Sequence, residues 1–206
     1  MKKRFKEFFY YLFGGIYIPK ELVNTREKIL LHISDTPAML YRGLDKFIRE
    51  LRPNYIVHTG DIVDNIKLEI YPNKICEYRK NLKKIIDILE SSRAEKIYIS
   101  LGNHDNKEVV NSLIKRSIII EKSDIINIEG IEIKVSHFPD EILKDSRKYN
   151  LFGHDLTLKT KIKDEKVYLN GISSINVLLF KSEKIFTLPY PFGTDDSRLC
   201  KGKTGF

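Results

Sequence analysis

At five places along the 206-residue chain, side chains of the metal-ligand type follow directly on an apolar run of strand length. Asp35 follows residues 28–34. Asp61 follows residues 55–59 in Gly60-Asp61-Ile62-Val63-Asp64, and Asn103, His104 and Asp105 follow residues 96–101 in Gly102-Asn103-His104-Asp105. His137 closes Val135-Ser136-His137-Phe138, and His154 sits in Phe152-Gly153-His154-Asp155. Each has an ordinary explanation alone, since Gly-Asp and Asn-His-Asp make good turns and a lone histidine commonly satisfies a local hydrogen bond. Repeated at the carboxyl ends of buried strands, where open α/β sheets build ligand sites, they predict one cluster. Carboxylate, imidazole and amide oxygen together suit manganese, iron or zinc better than calcium.

Such a cluster needs a sheet to position it. The runs at 28–34, 55–59 and 96–101 alternate with segments at helical spacing, 38–51 and 74–91, and a shorter helix at 106–116. Beyond it helical signals thin out. Residues 118–120, 125–128, 131–136, 150–153, 167–170, 174–180 and 184–188 read as strands, with one short helix near 140–148. The pattern predicts an α/β (α+β) chain with two sheets packed face to face and flanked by helices. No repeat or linker divides it, so residues 28–190 form the expected domain between an N-terminal segment, 1–27, and a C-terminal tail, 191–206.

Composition narrows the class. Hydrophobic residues make up 42% and charged residues 31%, enough for a sizeable core. Two cysteines, Cys76 and Cys200, make no disulfide framework, and a reducing, cytoplasmic setting is expected. The net charge of +8 is concentrated at the ends: +4 in residues 1–28 and +3 in 197–206, leaving +1 on the body. A nucleic-acid partner is therefore disfavoured, because its basic stripe belongs on the folded body. The N-terminal segment follows Lys2, Lys3 and Arg4 with Phe5, Phe8, Phe9, Tyr10, Tyr11, Leu12 and Phe13. Lys6 and Glu7 interrupt it and no small-residue cleavage site follows, unlike a leader peptide. The expectation is a helix docking its aromatic face on the domain and ended by Gly14-Gly15. The alternative is weak attachment to an acidic membrane surface.

The ordered set Asp35, Gly60-Asp61-Ile62-Val63-Asp64, Gly102-Asn103-His104-Asp105, His137 and Gly153-His154 resembles the calcineurin-like metallophosphoesterase superfamily over about residues 28–188. The resemblance implies a four-layer αββα sandwich with a two-metal site that hydrolyses phosphomonoesters, phosphodiesters or phosphoanhydrides. One metal would take Asp61, Asn103, His137 and His154. The other would take Asp35, the shared Asp61 and two histidines, whose places here hold Pro37 and Leu156. One tight and one weak metal position are expected, with one or two ions per chain, manganese first and iron or zinc as alternatives. Asp155 is a candidate replacement ligand.

The resemblance also implies that His104 contacts phosphate and acts as general acid. Asp105 would orient His104, with a turn carboxylate as the alternative, and Asp64 would fix a neighbouring ligand or loop. His32 and His58 read as core histidines without a ligand role. Arg42 and Arg198 read as surface arginines, with phosphate contact as the alternative. The expected function is hydrolysis of a phosphorylated small molecule or nucleotide; the alternative is a non-catalytic scaffold or phosphate-ligand module. The sequence leaves the oligomeric state open.

Overall fold

The computed structural model describes residues 2–199, with side chains from Phe5 onward; Cys200 and the rest of the C-terminal tail lie outside the described residues. Helix α1 (Lys2–Leu12) and the single turn α2 (Lys20–Val23) precede the first sheet. β1 (Ile29–Ile33), β2 (Tyr55–His58) and β3 (Lys96–Ser100) run parallel and are buried apart from Lys96. Continuous apolar strands of this kind need cover on both faces. α3 (Tyr41–Leu51), entered through a short 3-10 turn at Ala38–Leu40, and α4 (Ile75–Glu90) make the crossovers. α3 turns Tyr41, Leu44, Phe47, Ile48 and Leu51 inward and stops where Arg52 goes left-handed ahead of Pro53. α5 (Lys107–Leu113), capped by the Asn106 side chain on the Val109 amide, leads to β4 (Ile118–Ile120), parallel to β3.

The second half is strand-rich, as expected. β5 (Ser123–Ile128), β6 (Ile131–Ser136), β7 (Tyr149–Phe152), β8 (Lys161–Lys163) and β9 (Lys166–Asn170) form a five-stranded mixed sheet in the order β5-β6-β7-β9-β8. α6 (Pro139–Lys144) packs on β6 and β7. β10 (Ile175–Leu179) and β11 (Ile185–Leu188) return to the first sheet, giving the six-stranded order β11-β10-β1-β2-β3-β4. α7 (Thr194–Arg198) follows.

The two-residue period of a strand divides the core. Leu30, Val57, Tyr98 and Leu178 meet Ile133, Val135, Leu151 and Leu169 between the sheets, while Leu31, Ile33, Ile56, Ile97 and Val177 meet the helices. Each such side chain contributes about 1.5–3 kcal/mol when fully buried. The result is the expected sandwich of two mixed sheets flanked by helices. Among the described residues, no helix is long and apolar enough to cross a membrane.

Two elements differ from expectation. β8 gave no apolar signal, because all three of its residues are exposed and it exists by pairing with β9. In α1 the aromatic face does not dock: Phe5, Phe8, Phe9, Leu12 and Phe13 are all exposed. Tyr10 packs edge-on against Tyr17 within the segment, which attaches instead through Tyr11 on Phe192 and the buried Ile16. The helix stops at Leu12 and the chain reverses at Gly14, φ 73°, where the sequence placed its end.

Candidate metal centre

The loops that carry the candidate ligands are held in unusual backbone conformations. Asp35, Asp61 and His154 have positive φ angles of 50°, 51° and 69°, a region that costs non-glycine residues about 1–3 kcal/mol. Neighbouring loops enforce it. The Asp35 amide donates to Gly60 O at 2.9 Å and the Thr36 amide to Asp61 O at 3.0 Å. The His104 amide donates to Asp61 Oδ1 at 2.9 Å and the His154 amide to Asp35 Oδ2 at 3.2 Å. Gly60, at φ 94°, lets two loops meet: a Cβ there would lie 2.6 Å from His137 Nδ1 and 2.7 Å from the Gly102 amide.

Three donor atoms lie around the Nε2 of His137. His137 donates from Nδ1 to Thr59 O at 2.7 Å, which leaves the lone pair on Nε2. That Nε2 lies 3.2 Å from Asn103 Oδ1, 3.2 Å from His154 Nδ1 and 3.6 Å from Asp61 Oδ2. The Asn103 amide orientation has its own cause, because its NH2 group donates to Glu69 Oε2 at 2.5 Å and so turns the oxygen toward His137. His137 Nε2 thus sits with a second imidazole nitrogen, a carboxylate oxygen and an amide oxygen. Their donor types fit a first-row divalent ion.

The neighbouring position is different. Ligand atoms of Asp35, Asp61 and His137 lie within 4.8 Å of one another, and so do those of Asp61, Asp64 and His104. Pro37 only introduces the turn at Ala38, and Leu156 presents an alkyl group. Asp155 does not replace them: its carboxylate accepts from the Thr157 amide and hydroxyl at 2.8 and 2.7 Å, closing its own turn. Burial, with the charge of Asp35 next, pushes the Asp61 and Asp64 carboxyls well above the usual carboxylate range.

The other singled-out residues fall as follows. Asp105 takes the turn role and does not orient His104: it accepts from the Ile62 amide at 3.0 Å, the Gly102 amide at 2.9 Å and the Tyr78 hydroxyl at 2.9 Å. His32 and His58 are fully buried. His32 lies 3.0 Å from the Thr59 hydroxyl and His58 2.8 Å from the Thr36 hydroxyl, which leaves each paired within the core. Arg42 is exposed beside α1, lining a groove of about 630 Å³ with Phe9 and Phe13. Arg198 is neither a surface arginine nor a phosphate contact. It is 1% exposed, stacks on Tyr190 at 4.2 Å and donates to the carbonyls of Asp35 and Ile172, each at 2.7 Å. Residues 191–199 thus run back onto the body beneath the β1 loop.

Lys67 and Glu69 escaped the sequence reading. Both sit in the loop after Asp61, where the Lys67 ammonium pairs with Asp64 and Glu69 reaches Asn103 and, at 3.6 Å, His104. The available signal was the alternation Ile66-Lys67-Leu68-Glu69, whose apolar members are buried.

The sequence matches the family described as calcineurin-like phosphoesterase over residues 29–193. The chain belongs to that family. Among solved structures, this calcineurin-like phosphoesterase is similar to an archaeal phosphodiesterase, with a TM-score of 0.51 and 14% identity over 77% of this chain and 98% of that one. It is also similar to a single mutant of Vps29 from Entamoeba histolytica, with a TM-score of 0.50 and 16% identity over 79% of this chain and 99% of that one. At these identities the likeness is one of fold. No curated protein matches the chain.

Proposed function

We propose that the chain is a metal-dependent hydrolase of a phosphate ester, with one divalent ion held tightly by Asp61, Asn103, His137 and His154. The convergence of three donor atoms on His137 Nε2 within 3.2–3.6 Å carries this reading. Manganese is the leading candidate, since the set mixes nitrogen and oxygen donors. When bound, the ion supplies Lewis-acid polarisation of a phosphoryl oxygen.

The remaining chemistry belongs to the protein. His104 is held at the site by the hydrogen bond its backbone amide donates to Asp61. Burial, then the Lys67 charge, pushes its imidazole down to about 4, so it meets substrate neutral, as an N–H donor. A phosphoryl dianion beside it favours the protonated form, which delivers its proton to the leaving oxygen. Asp105 holds the turn that carries His104, and Glu69 holds the Asn103 amide in its donor orientation. A phosphorylated small molecule or nucleotide is the substrate class.

The second reading is a non-catalytic scaffold, favoured by Pro37 and Leu156, which remove two donors from one metal position. Hydrolysis of nitrophenyl mono- and diesters with added manganese separates the two. The His104→Ala variant should lose about 10²–10⁴-fold in kcat. Equal background rates for variant and parent would establish the scaffold reading.

A further inference from the structure

We infer that Lys67 is a built-in cation at the depleted metal position, and that its ammonium meets a phosphoryl oxygen there in place of a second ion. The inference rests on the phosphoesterase reading above and assigns the group that completes it.

Three carboxylates crowd this side of the site. Asp35, Asp61 and Asp64 are 2%, 3% and 1% exposed, and Asp61 belongs to both candidate ligand groups. Ionised carboxylates this close are stabilised by compensating positive charge. In a two-metal site two ions supply it; here the histidines that would hold one of them are Pro37 and Leu156. The Lys67 ammonium lies beside one of these carboxylates. It pairs with Asp64, whose group lies within 4.8 Å of ligand atoms of Asp61 and His104, and its side chain is only 19% exposed.

The lysine is positioned by its own loop. Ile66 and Leu68 on either side are buried, and the Lys67 carbonyl accepts from the Ile70 and Tyr71 amides at 3.0 and 2.7 Å. An ammonium has three donors, so pairing with Asp64 leaves donors for an anionic oxygen. Arg198, the other cation close to Asp35, cannot take this part, because its donors are engaged by Ser34 O, Asp35 O, Ile172 O and Asp195. The ligand class follows: a tetrahedral phosphate oxyanion, bound between the Lys67 ammonium, His104 and the position proposed for the tight ion.

Calorimetric titration with Mn²⁺ and then inorganic phosphate tests this in the full chain and three variants. Lys67→Met should weaken phosphate binding to the Mn²⁺-loaded protein at least about tenfold, the loss of one charge-assisted hydrogen bond. It should also tighten a second Mn²⁺, because Asp64 is freed. Lys67→Arg should keep phosphate affinity within about threefold, since the charge and its donors remain. If Lys67→Met fails to fold with Asp64 unpaired, the double variant Asp64→Asn with Lys67→Met carries the test, with the same loss of phosphate affinity expected. Parent-like phosphate affinity in the Met variant, or in the double variant, overturns the inference. A parent chain with this Lys67 dependence that hydrolyses no ester overturns the phosphoesterase reading and leaves the Lys67 site standing.

Discussion

At the scale of single residues, the buried histidines carry a pH dependence. His32 and His58 are fully enclosed, and burial pushes both imidazoles down to about 3. Their unfolded value is near 6.5, so between about 3 and 6.5 the unfolded chain binds more protons than the folded one. Stability is therefore complete above about pH 6.5 and falls as the pH drops, by up to about 1.4 kcal/mol per unit for each histidine. The raised carboxyls of Asp61 and Asp64 act in the opposite sense, because the folded state holds their protons more tightly. Urea unfolding at pH 7 and pH 5 on the parent and His32→Gln isolates the histidine: the variant should lose about 1 kcal/mol less per pH unit. Equal losses would mean that His32 is already protonated in the fold.

At the scale of elements, the motif loops were legible because each joins a strongly patterned strand to a turn residue. Asp35, Asp61 and Asn103 sit just past β1, β2 and β3, where the apolar runs end. The N-terminal helix was misjudged because an aromatic stripe at helical spacing states what a helix can bury, not whether a surface waits for it. The sharpest contrast lies within one segment: Phe13 is 75% exposed and Ile16 is 4% exposed. Phe13→Ser should change stability by no more than about 0.5 kcal/mol. Ile16→Ala should cost about 2–5 kcal/mol, because it empties a packed position against the first sheet's helices. Chemical denaturation of the two variants checks this; a large loss for Phe13→Ser would mean that the aromatic face is covered in solution.

At the scale of the whole molecule, the proposed metal centre is a joint between the two sheets. Asp61 and Asn103 come from the six-stranded sheet, and His137 and His154 from the five-stranded one. An ion bound to all four stabilises the packed sandwich, since an unfolded chain offers no such set. At a free Mn²⁺ concentration of about 100 times Kd the gain is about 2.7 kcal/mol, or roughly 5–10 °C in Tm for a chain of this length. Thermal melts with Mn²⁺ and with a chelator should show this shift, and His137→Ala should abolish it. A shift retained in the variant would place the ion elsewhere.

The sequence by itself determined the strands and helices around the site and the five loops of metal-ligand side chains, because each is a local pattern of a few residues with its own chemistry, while the two absent histidines came from the family resemblance. Tertiary structure alone decided what those residues do to one another. Asp105 spends its carboxylate on backbone amides from two loops, and Arg198 is drawn from an apparent tail to lie beneath Asp35. Asn103 has its amide turned by Glu69, and Lys67 comes to rest on Asp64 among carboxylates from neighbouring strands. Hydrogen bonds and charges act over a few ångströms in space, whatever the separation along the chain. Periodicity carries no information about which loops the sheets will bring that close.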